Sequence, residues 1–347
     1  MAPNRDPLLT VAWKDNSVVL IDQTKLPNKL VYVTCKNYIE VADMIRKLVV
    51  RGAPAIGVSA ALGLALAAQQ SNAKTLNELM ADLDTAFKVL RATRPTAINL
   101  FWALQRVMGR GMHAKSLQEA KSAVLNEALK MAEEDIETNR KIGAHGLNLF
   151  QDGDIVLTHC NAGSLATVAY GTALGVIRAA RGSGKRLSVI ATETRPVMQG
   201  SRLTAFELLH DGIDVSLITD TAVGHMMARG TINHVVVGAD RVLHTGHVFN
   251  KIGTYQVAIL ASKHNVPFYV AAPLSTFDFE STPDDVIIED RSVDEVVKVG
   301  KKRIAPKGIR VFNPAFDMTP PELITGIITE KGVLKPPFDK NLKALIG

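Results

Sequence analysis

The sequence predicts an α/β protein in two parts. A small N-terminal α+β domain of short strands plus helices precedes a Rossmann-like parallel-sheet C-terminal domain. Three observations carry that expectation. Short apolar runs of strand type, Ile155–His159, Leu187–Ala191, Val215–Thr219, His234–Gly238 and Phe268–Ala271, alternate with helical stretches such as Met198–His210 and Thr254–Lys263. Such βαβ alternation calls for a parallel sheet with helices on its faces. Ahead of it the pattern differs, with β-rich runs early and a long helical stretch after them. The third is length: 347 residues suffice for two domains and a large core. We place the boundary near residue 130, dividing 1–130 from 131–347.

Composition narrows the class. An apolar fraction of 47% and a charged fraction of 21% are those of a soluble globular protein. No uninterrupted apolar run approaches the roughly 20 residues that span a bilayer. The opening Met-Ala-Pro-Asn-Arg-Asp lacks the pattern of a secretory signal, so a cytoplasmic protein without membrane partners is expected. Two cysteines, Cys35 and Cys160, lie far apart, which disfavours a structural zinc site and a disulfide framework. No metal and no cofactor are expected, although His159 and His225 remain conceivable ligands in space. The net charge of +6 does not come from one long basic run. The densest patch, Lys301-Lys302-Arg303, has no interleaved aromatic residues for base stacking, so an anionic small molecule is favoured over nucleic acid.

Taken in order, Ser17–Asp22 and Leu30–Cys35 read as strands about the turn-like Gln23–Asn28. From Asn37, Tyr38, Val41, Ile45 and Leu48 recur at helical spacing. Arg51-Gly-Ala-Pro-Ala-Ile-Gly57 is a Gly/Pro turn leading into a helix. Glycine admits close approach of a ligand, the helix offers free amides to an anion, and Arg51 adds a fork suited to phosphate. A helix-start turn with a surface arginine is the plainer reading. Arg94 stands in a turn before the helix Leu100–Met108, where a solvated loop role is the default. The helix from Leu117 to about Ile142, carrying Glu133, Glu134, Asp135 and Glu137, reads as a solvated connector.

In open α/β sheets ligands bind beyond the carboxyl ends of the strands, so those ends are where chemistry is sought. His159-Cys160-Asn161 follows the first strand, and Leu165–Leu174 after it reads as a helix. A thiol at a helix N-terminus can fall below its free pKa of about 8.5; a buried free cysteine can equally be a small hydrophobe. Thr192–Pro196, Gln199, Thr219–Thr221 and Gly238-Ala-Asp-Arg241 occupy further strand ends; Phe249–Gly253 stands just before a helix, and within it Asn250-Lys251 reads as a helix-start amide followed by a lysine, both facing the same edge. Asp240 emerges from the apolar Val235–Ala239 and suits an acid with a raised pKa; capping a helix or pairing with Arg241 is the alternative. Glu193 and Asp220 read as well as turn stabilisers. Gly-x-Gly-x-x-Gly does not follow the first of these strands, which gives dinucleotide binding no support.

Five of these segments, Arg51–Gly57, Thr158–Gly163, Thr192–Pro196, Gly238–Arg241 and Asn250–Thr254, together resemble the methylthioribose-1-phosphate isomerase family of methionine salvage. They stand in the family's order across nearly the whole chain. The resemblance implies a homodimer that takes a small sugar phosphate and isomerises it without a metal. It implies Cys160 and Asp240 as the catalytic pair, and Arg51, Gly52, Ala53, Arg94, Gln199, Asn250 and Lys251 as substrate contacts. The wider superfamily adds ribose-1,5-bisphosphate isomerases and regulatory subunits of a translation-initiation guanine-nucleotide exchange factor as alternatives.

Overall fold

A computed structural model describes residues 8–94 and 98–346, in two compact units. One comprises Asp6–Arg140 with Gly163–Leu174; the other comprises Lys141–Ala162 with Gly175–Gly347.

The N-terminal unit opens with an antiparallel sheet of β1 (Val11–Lys14), β2 (Ser17–Ile21) and β3 (Tyr32–Cys35), paired in that order. Val18, Leu20 and Ile21 of the central strand are fully buried. Four helices follow, α1 (Tyr38–Arg46), α2 (Ala53–Gln70), α3 (Leu76–Arg91) and α4 (Ile98–Met112), then the long α5 (Leu117–Gly146). Asn37 caps α1 and Thr75 caps α3, the latter in a reciprocal capping box with Glu78. Helix α2 is long and apolar enough to cross a membrane by composition alone, yet it is the core helix of this unit. Its apolar residues run right round the helix because α1, α3, α4 and the strands cover it on all sides.

The solvated-connector expectation for α5 fails. Ala120, Val124, Ala128 and Met131 sink into the same core. Glu134 pairs with Arg106 at 2.6 Å, and Asp135 accepts the Val168 N–H at 2.7 Å, while Glu133 and Glu137 are exposed.

In the C-terminal unit, β4 (Ile155–Thr158), α6 (Ala173–Gly182, its first residues in the other unit), β5 (Ser188–Thr192), α7 (Ala205–His210), β6 (Asp214–Ile218), α8 (Val223–Ala228) and β7 (His234–Val237) alternate. Then come β8 (Arg241–Leu243), β9 (Val248–Lys251), α9 (Thr254–Lys263), β10 (Phe268–Ala271), β11 (Phe277–Asp278) and the short α10 (Val293–Val297), β12 (Lys298–Val299) and β13 (Lys302–Arg303). The chain closes with β14 (Phe316–Thr319), β15 (Gly326–Thr329), β16 (Gly332–Leu334) and α11 (Phe338–Ile346).

The main sheet runs β16-β15-β10-β7-β4-β5-β6, parallel throughout except at β16. Its central strands are apolar on both faces, as covered parallel strands must be; Val235, Val236 and Val237 are fully buried. The chain order β4, β5, β6 runs one way from the middle and β7, β10, β15 the other. The direction reverses between β4 and β7, which pair through Leu157 and Val235. That switch point is where crossovers diverge to opposite faces and leave a crevice beyond the strand ends. A second sheet, β11-β8-β9-β14, grows from the chain leaving β7.

Candidate active site

Cys160 and Asp240 leave the two strands that flank the switch point. β4 ends at Thr158 and β7 at Val237, so each residue stands just past a strand terminus on the same sheet edge. No helix takes over directly after the thiol. The expected helix over 165–174 is instead a one-turn segment at Ser164–Ala166, then irregular chain, with α6 starting only at Ala173. The reason lies in the N-terminal unit, which claims this stretch. Thr10 Oγ1 donates to Ser164 O at 2.7 Å, Gln23 Nε2 to Leu165 O at 2.7 Å, and Thr10 N–H to Val168 O at 2.9 Å. The expected helix N-terminus is therefore not presented to Cys160 by the chain that follows it.

The thiol is placed by backbone shape instead. Cys160 has φ 63°, in the left-handed region, which costs a side-chain-bearing residue roughly 1–2 kcal/mol. Its N–H donates to Thr194 Oγ1 at 2.9 Å, and its carbonyl accepts Thr204 Oγ1 at 2.5 Å. The side chain is partly exposed, whereas Cys35 is buried and burial pushes its thiol up to about 11. Of the two thiols, only Cys160 is placed for chemistry.

Both ring nitrogens of His159 are engaged in hydrogen bonds within the fold, which turns neither towards a metal or a substrate. Its Nε2 faces Ile252 O at 2.9 Å and its Nδ1 faces Thr192 Oγ1 at 2.7 Å. A carbonyl can only accept, so Nε2 carries the proton and Nδ1 takes the threonine's. Burial depresses its pKa and keeps the ring neutral. Among the described residues, no three His, Cys, Asp or Glu side chains are grouped to hold a metal.

Asp240 is partly buried, and its N–H donates to Phe249 O at 2.9 Å. It caps no helix, because β8 begins at the next residue, and Arg241 pairs with Asp278 at 3.1 Å. Asn250 and Lys251 correct the expectation of a helix start: both belong to β9, opposite Asp317 and Phe316 of β14. The Asp240–Phe249 and His159–Ile252 bonds bring this strand beside the switch point. Asn250 is buried and donates from Nδ2 to Thr254 Oγ1 at 3.0 Å. Lys251 Nζ donates to Ala315 O at 3.0 Å and lies 4.6 Å from the Phe316 ring centre.

Asp317 is a residue the sequence reading missed. It accepts the N–H groups of Gly253 at 2.6 Å and Tyr255 at 3.1 Å, anchoring the start of α9. Burial lifts its carboxyl to about 6, with those amides pulling the other way. Asp220 accepts the N–H groups of Thr194 and Arg195, both at 2.7 Å, which makes it a stabiliser of the loop beside Cys160.

Gln199 introduces a single π-helical turn, Gly200–Thr204, of a kind that recurs at functional sites. Gly200 is obligatory there, since a Cβ would stand 1.7 Å from Thr192 O. The Gln199 amide oxygen is buried with no hydrogen-bond partner among the described residues, an acceptor that a ligand hydroxyl would satisfy.

The remaining expected contacts belong to the N-terminal unit. Gly52, at φ 84°, precedes α2, which begins at Ala53. A Cβ on it would lie 2.1 Å from Ala166 O, so this glycine permits close backbone packing. Arg51 is partly buried and its Nε reaches Leu48 O at 3.4 Å. Arg94 follows α3, and the Pro95–Ala97 part of its expected turn lies outside the described residues.

Residues 49–336 match the family described as Initiation factor 2 subunit family. The methylthioribose-1-phosphate isomerase of Thermosipho africanus is 54% identical, over 97% of this chain and 98% of that protein. The crystal structure of 5-methylthioribose 1-phosphate isomerase from Pyrococcus horikoshii OT3 is similar at 46% identity with TM-score 0.93, over 97% of this chain and 95% of that one. The crystal structure of the translation initiation factor eIF-2B, subunit delta, from A. fulgidus is similar at 52% identity with TM-score 0.90, over 98% and 99%.

Proposed function

The chain belongs to the methylthioribose-1-phosphate isomerase branch of the initiation factor 2 subunit family, and on that premise we propose that it converts 5-methylthioribose 1-phosphate to 5-methylthioribulose 1-phosphate in methionine salvage. The observation that carries the reading is the placement of Cys160 and Asp240 past neighbouring strands at the switch point. A thiol and an acid so placed suit proton movement at carbon.

The anomeric oxygen of this substrate is phosphorylated, so the sugar cannot open to a free aldehyde unaided. In the proposed reaction Asp240, protonated, donates to the ring oxygen as the ring opens. Cys160 as thiolate then removes the C2 proton and returns it at C1 through an enediol-phosphate-like species, or it stabilises a direct hydride shift from C2 to C1. On either route the Asp240 carboxylate takes the C2 hydroxyl proton as the ketone forms, which restores the acid. Each positioned acid or base contributes roughly 10²–10⁴-fold. Arg51 and Arg94 are proposed to hold the phosphate, with Gly52 and Ala53 beside them, and Gln199, Asn250 and Lys251 to contact the sugar. The chemistry is metal-independent in this proposal.

The test is product formation from 5-methylthioribose 1-phosphate by the parent, Cys160→Ser and Asp240→Asn chains. Each variant should lose turnover while binding substrate near-normally; full activity in either sinks the pair. In deuterium oxide, label at C1 of the product supports proton transfer, and its absence leaves a hydride shift or a proton shielded from solvent. The likeness to a chain named as an initiation factor subunit favours one second reading, a regulatory subunit. Turnover by the parent chain decides between the two, with ribose 1,5-bisphosphate as the competing substrate.

A further inference from the structure

The residue after the thiol is tied to a buried charge pair that the proposed chemistry does not use. Asn161 Nδ2 donates to Glu207 Oε1 at 2.9 Å and to Thr204 Oγ1 at 3.2 Å. Glu207, on α7, is fully buried, and its other oxygen accepts Arg178 Nη2 from α6 at 2.9 Å. Arg178 in turn gives Nε to Asp211 Oδ2 at 2.7 Å. A carboxylate only accepts, so Glu207 dictates which end of the Asn161 amide faces it. Thr204 ties this network to the neighbouring peptide as well, because the same hydroxyl donates to Cys160 O.

Stability alone is a weak reason for such a pair. Burying two charges costs about as much solvation as their attraction returns, and apolar replacements of equal volume often do as well. What an apolar cluster cannot do is hold an amide in one orientation. Here the amide belongs to the residue adjoining a cysteine kept in a left-handed backbone. That conformation persists only where its surroundings over-determine it.

We propose that Arg178 and Glu207 are positioning residues for the Cys160 thiol, acting through the side chain of Asn161. The inference rests on the reading of Cys160 as the reacting group. It predicts that loosening Asn161 lets the thiol drift by a fraction of an ångström, enough to cost about 10²-fold in rate with little effect on binding.

The experiment uses the full chain with three changes: Asn161→Ala, Glu207→Gln, and the swap Asn161→Asp with Glu207→Gln. The kcat and KM for 5-methylthioribose 1-phosphate are measured, together with amide hydrogen exchange in peptides spanning residues 158–163. Asn161→Ala leaves the charge pair whole and should lower kcat about 10²-fold, with KM within about threefold of the parent. The Cys160 amide should exchange at least about tenfold faster, with exchange in β10 unchanged. Glu207→Gln should behave likewise, since its amide can face Arg178 or Asn161 correctly but not both. In the swap the amide introduced at position 207 can donate to the carboxylate introduced at position 161, and kcat should recover about tenfold or more over Glu207→Gln. Parent-like kcat and exchange in Asn161→Ala overturn the proposal. So does a swap that recovers nothing, or a Glu207→Gln loss that comes with exchange throughout the unit and is absent from Asn161→Ala. A parent chain without turnover would sink the isomerase reading only, because the exchange measurement needs no substrate.

Discussion

The imidazole of His159 donates from Nε2 to the carbonyl oxygen of Ile252 at 2.9 Å, so the residue before Cys160 holds the loop after Lys251. Thr192 closes the other side of the ring at 2.7 Å. Burial lowers the folded pKa, and the Ile252 carbonyl and Asp220 only partly offset it. An unfolded histidine titrates near 6.5, so below that pH the unfolded chain takes up a proton that the folded chain refuses. This contribution is complete above about pH 6.5 and drains as pH falls towards the folded pKa. His159→Gln keeps an amide donor for Ile252 but cannot titrate. The stability advantage of the parent over this variant should narrow between pH 7.5 and 5.5, as read by denaturant midpoints. A gap that widens would mean that the ring is held charged.

Asp135 should show the opposite sign. Its carboxyl is raised to about 7 by burial, against the Val168 N–H and Asn139, which favour the charged form. An unfolded aspartate titrates near 3.9, so between about pH 4 and 7 the folded chain keeps a proton that the unfolded chain has lost. That contribution is fully present at the acid end and is lost as pH rises through 7. Asp135→Asn removes the titration while keeping an acceptor for Val168. The parent should therefore lose stability relative to the variant as pH goes from 5 to 8. A flat difference across that range would show an unperturbed carboxyl.

The two histidine bonds also show what could and could not be read from the chain alone. Strands β4, β5, β7 and β10 were legible because buried parallel strands are short apolar runs, and their ends carry the polar residues of the site. The largely exposed edge strand β6 was legible from its Val-Ser-Leu-Ile run alone. The helix over Thr254–Lys263 was legible for its own spacing and falls where expected. The stretch after Ala162 was not. Its small, apolar residues suit a helix locally, but Thr10, Gln23 and Asp135 draw it into the N-terminal unit through bonds to residues far away in sequence. Asn250-Lys251 was misread for a related reason, since only pairing with Phe316 and Asp317 far downstream makes it a strand. Arg178, Glu207 and Asp317 left no local signal, because an arginine or a carboxylate on an amphipathic helix or short strand looks solvated until its partner is known. Asp135 misled in the same way, standing in the acidic run of Glu133, Glu134 and Glu137 on α5.

Glycine 52 separates close packing from backbone freedom. Gly52 and Gly153 share a positive φ, 84° and 89°, but a Cβ on Gly52 would strike Ala166 while nothing among the described residues lies within 4 Å of one on Gly153. Gly153→Ala should cost only the left-handed penalty, about 1 kcal/mol. Gly52→Ala adds displacement of the Ala166 peptide, and overpacking of that kind brings the total to roughly 3 kcal/mol. Thermal unfolding of the two variants measures the difference. Equal losses would mean that the Ala166 segment yields freely and does not fix the Arg51 turn.

Arg94→Ala and Cys160→Ser should divide the kinetic constants between them. A charge-assisted hydrogen bond from arginine to phosphate contributes roughly 1.5–3 kcal/mol, and it is made as fully in the bound substrate as in the transition state. Its loss removes uniform binding, which raises KM and leaves kcat near the parent value. We expect KM for 5-methylthioribose 1-phosphate to rise by about 10- to 150-fold in Arg94→Ala, with kcat within about threefold. Cys160→Ser should do the reverse, because a hydroxyl keeps the size of the thiol but not its acidity, so turnover falls while KM holds. Steady-state kinetics on both variants against the parent reads the split directly. A kcat loss of tenfold or more in Arg94→Ala at unchanged KM would place the arginine with the reacting atoms rather than with the phosphate.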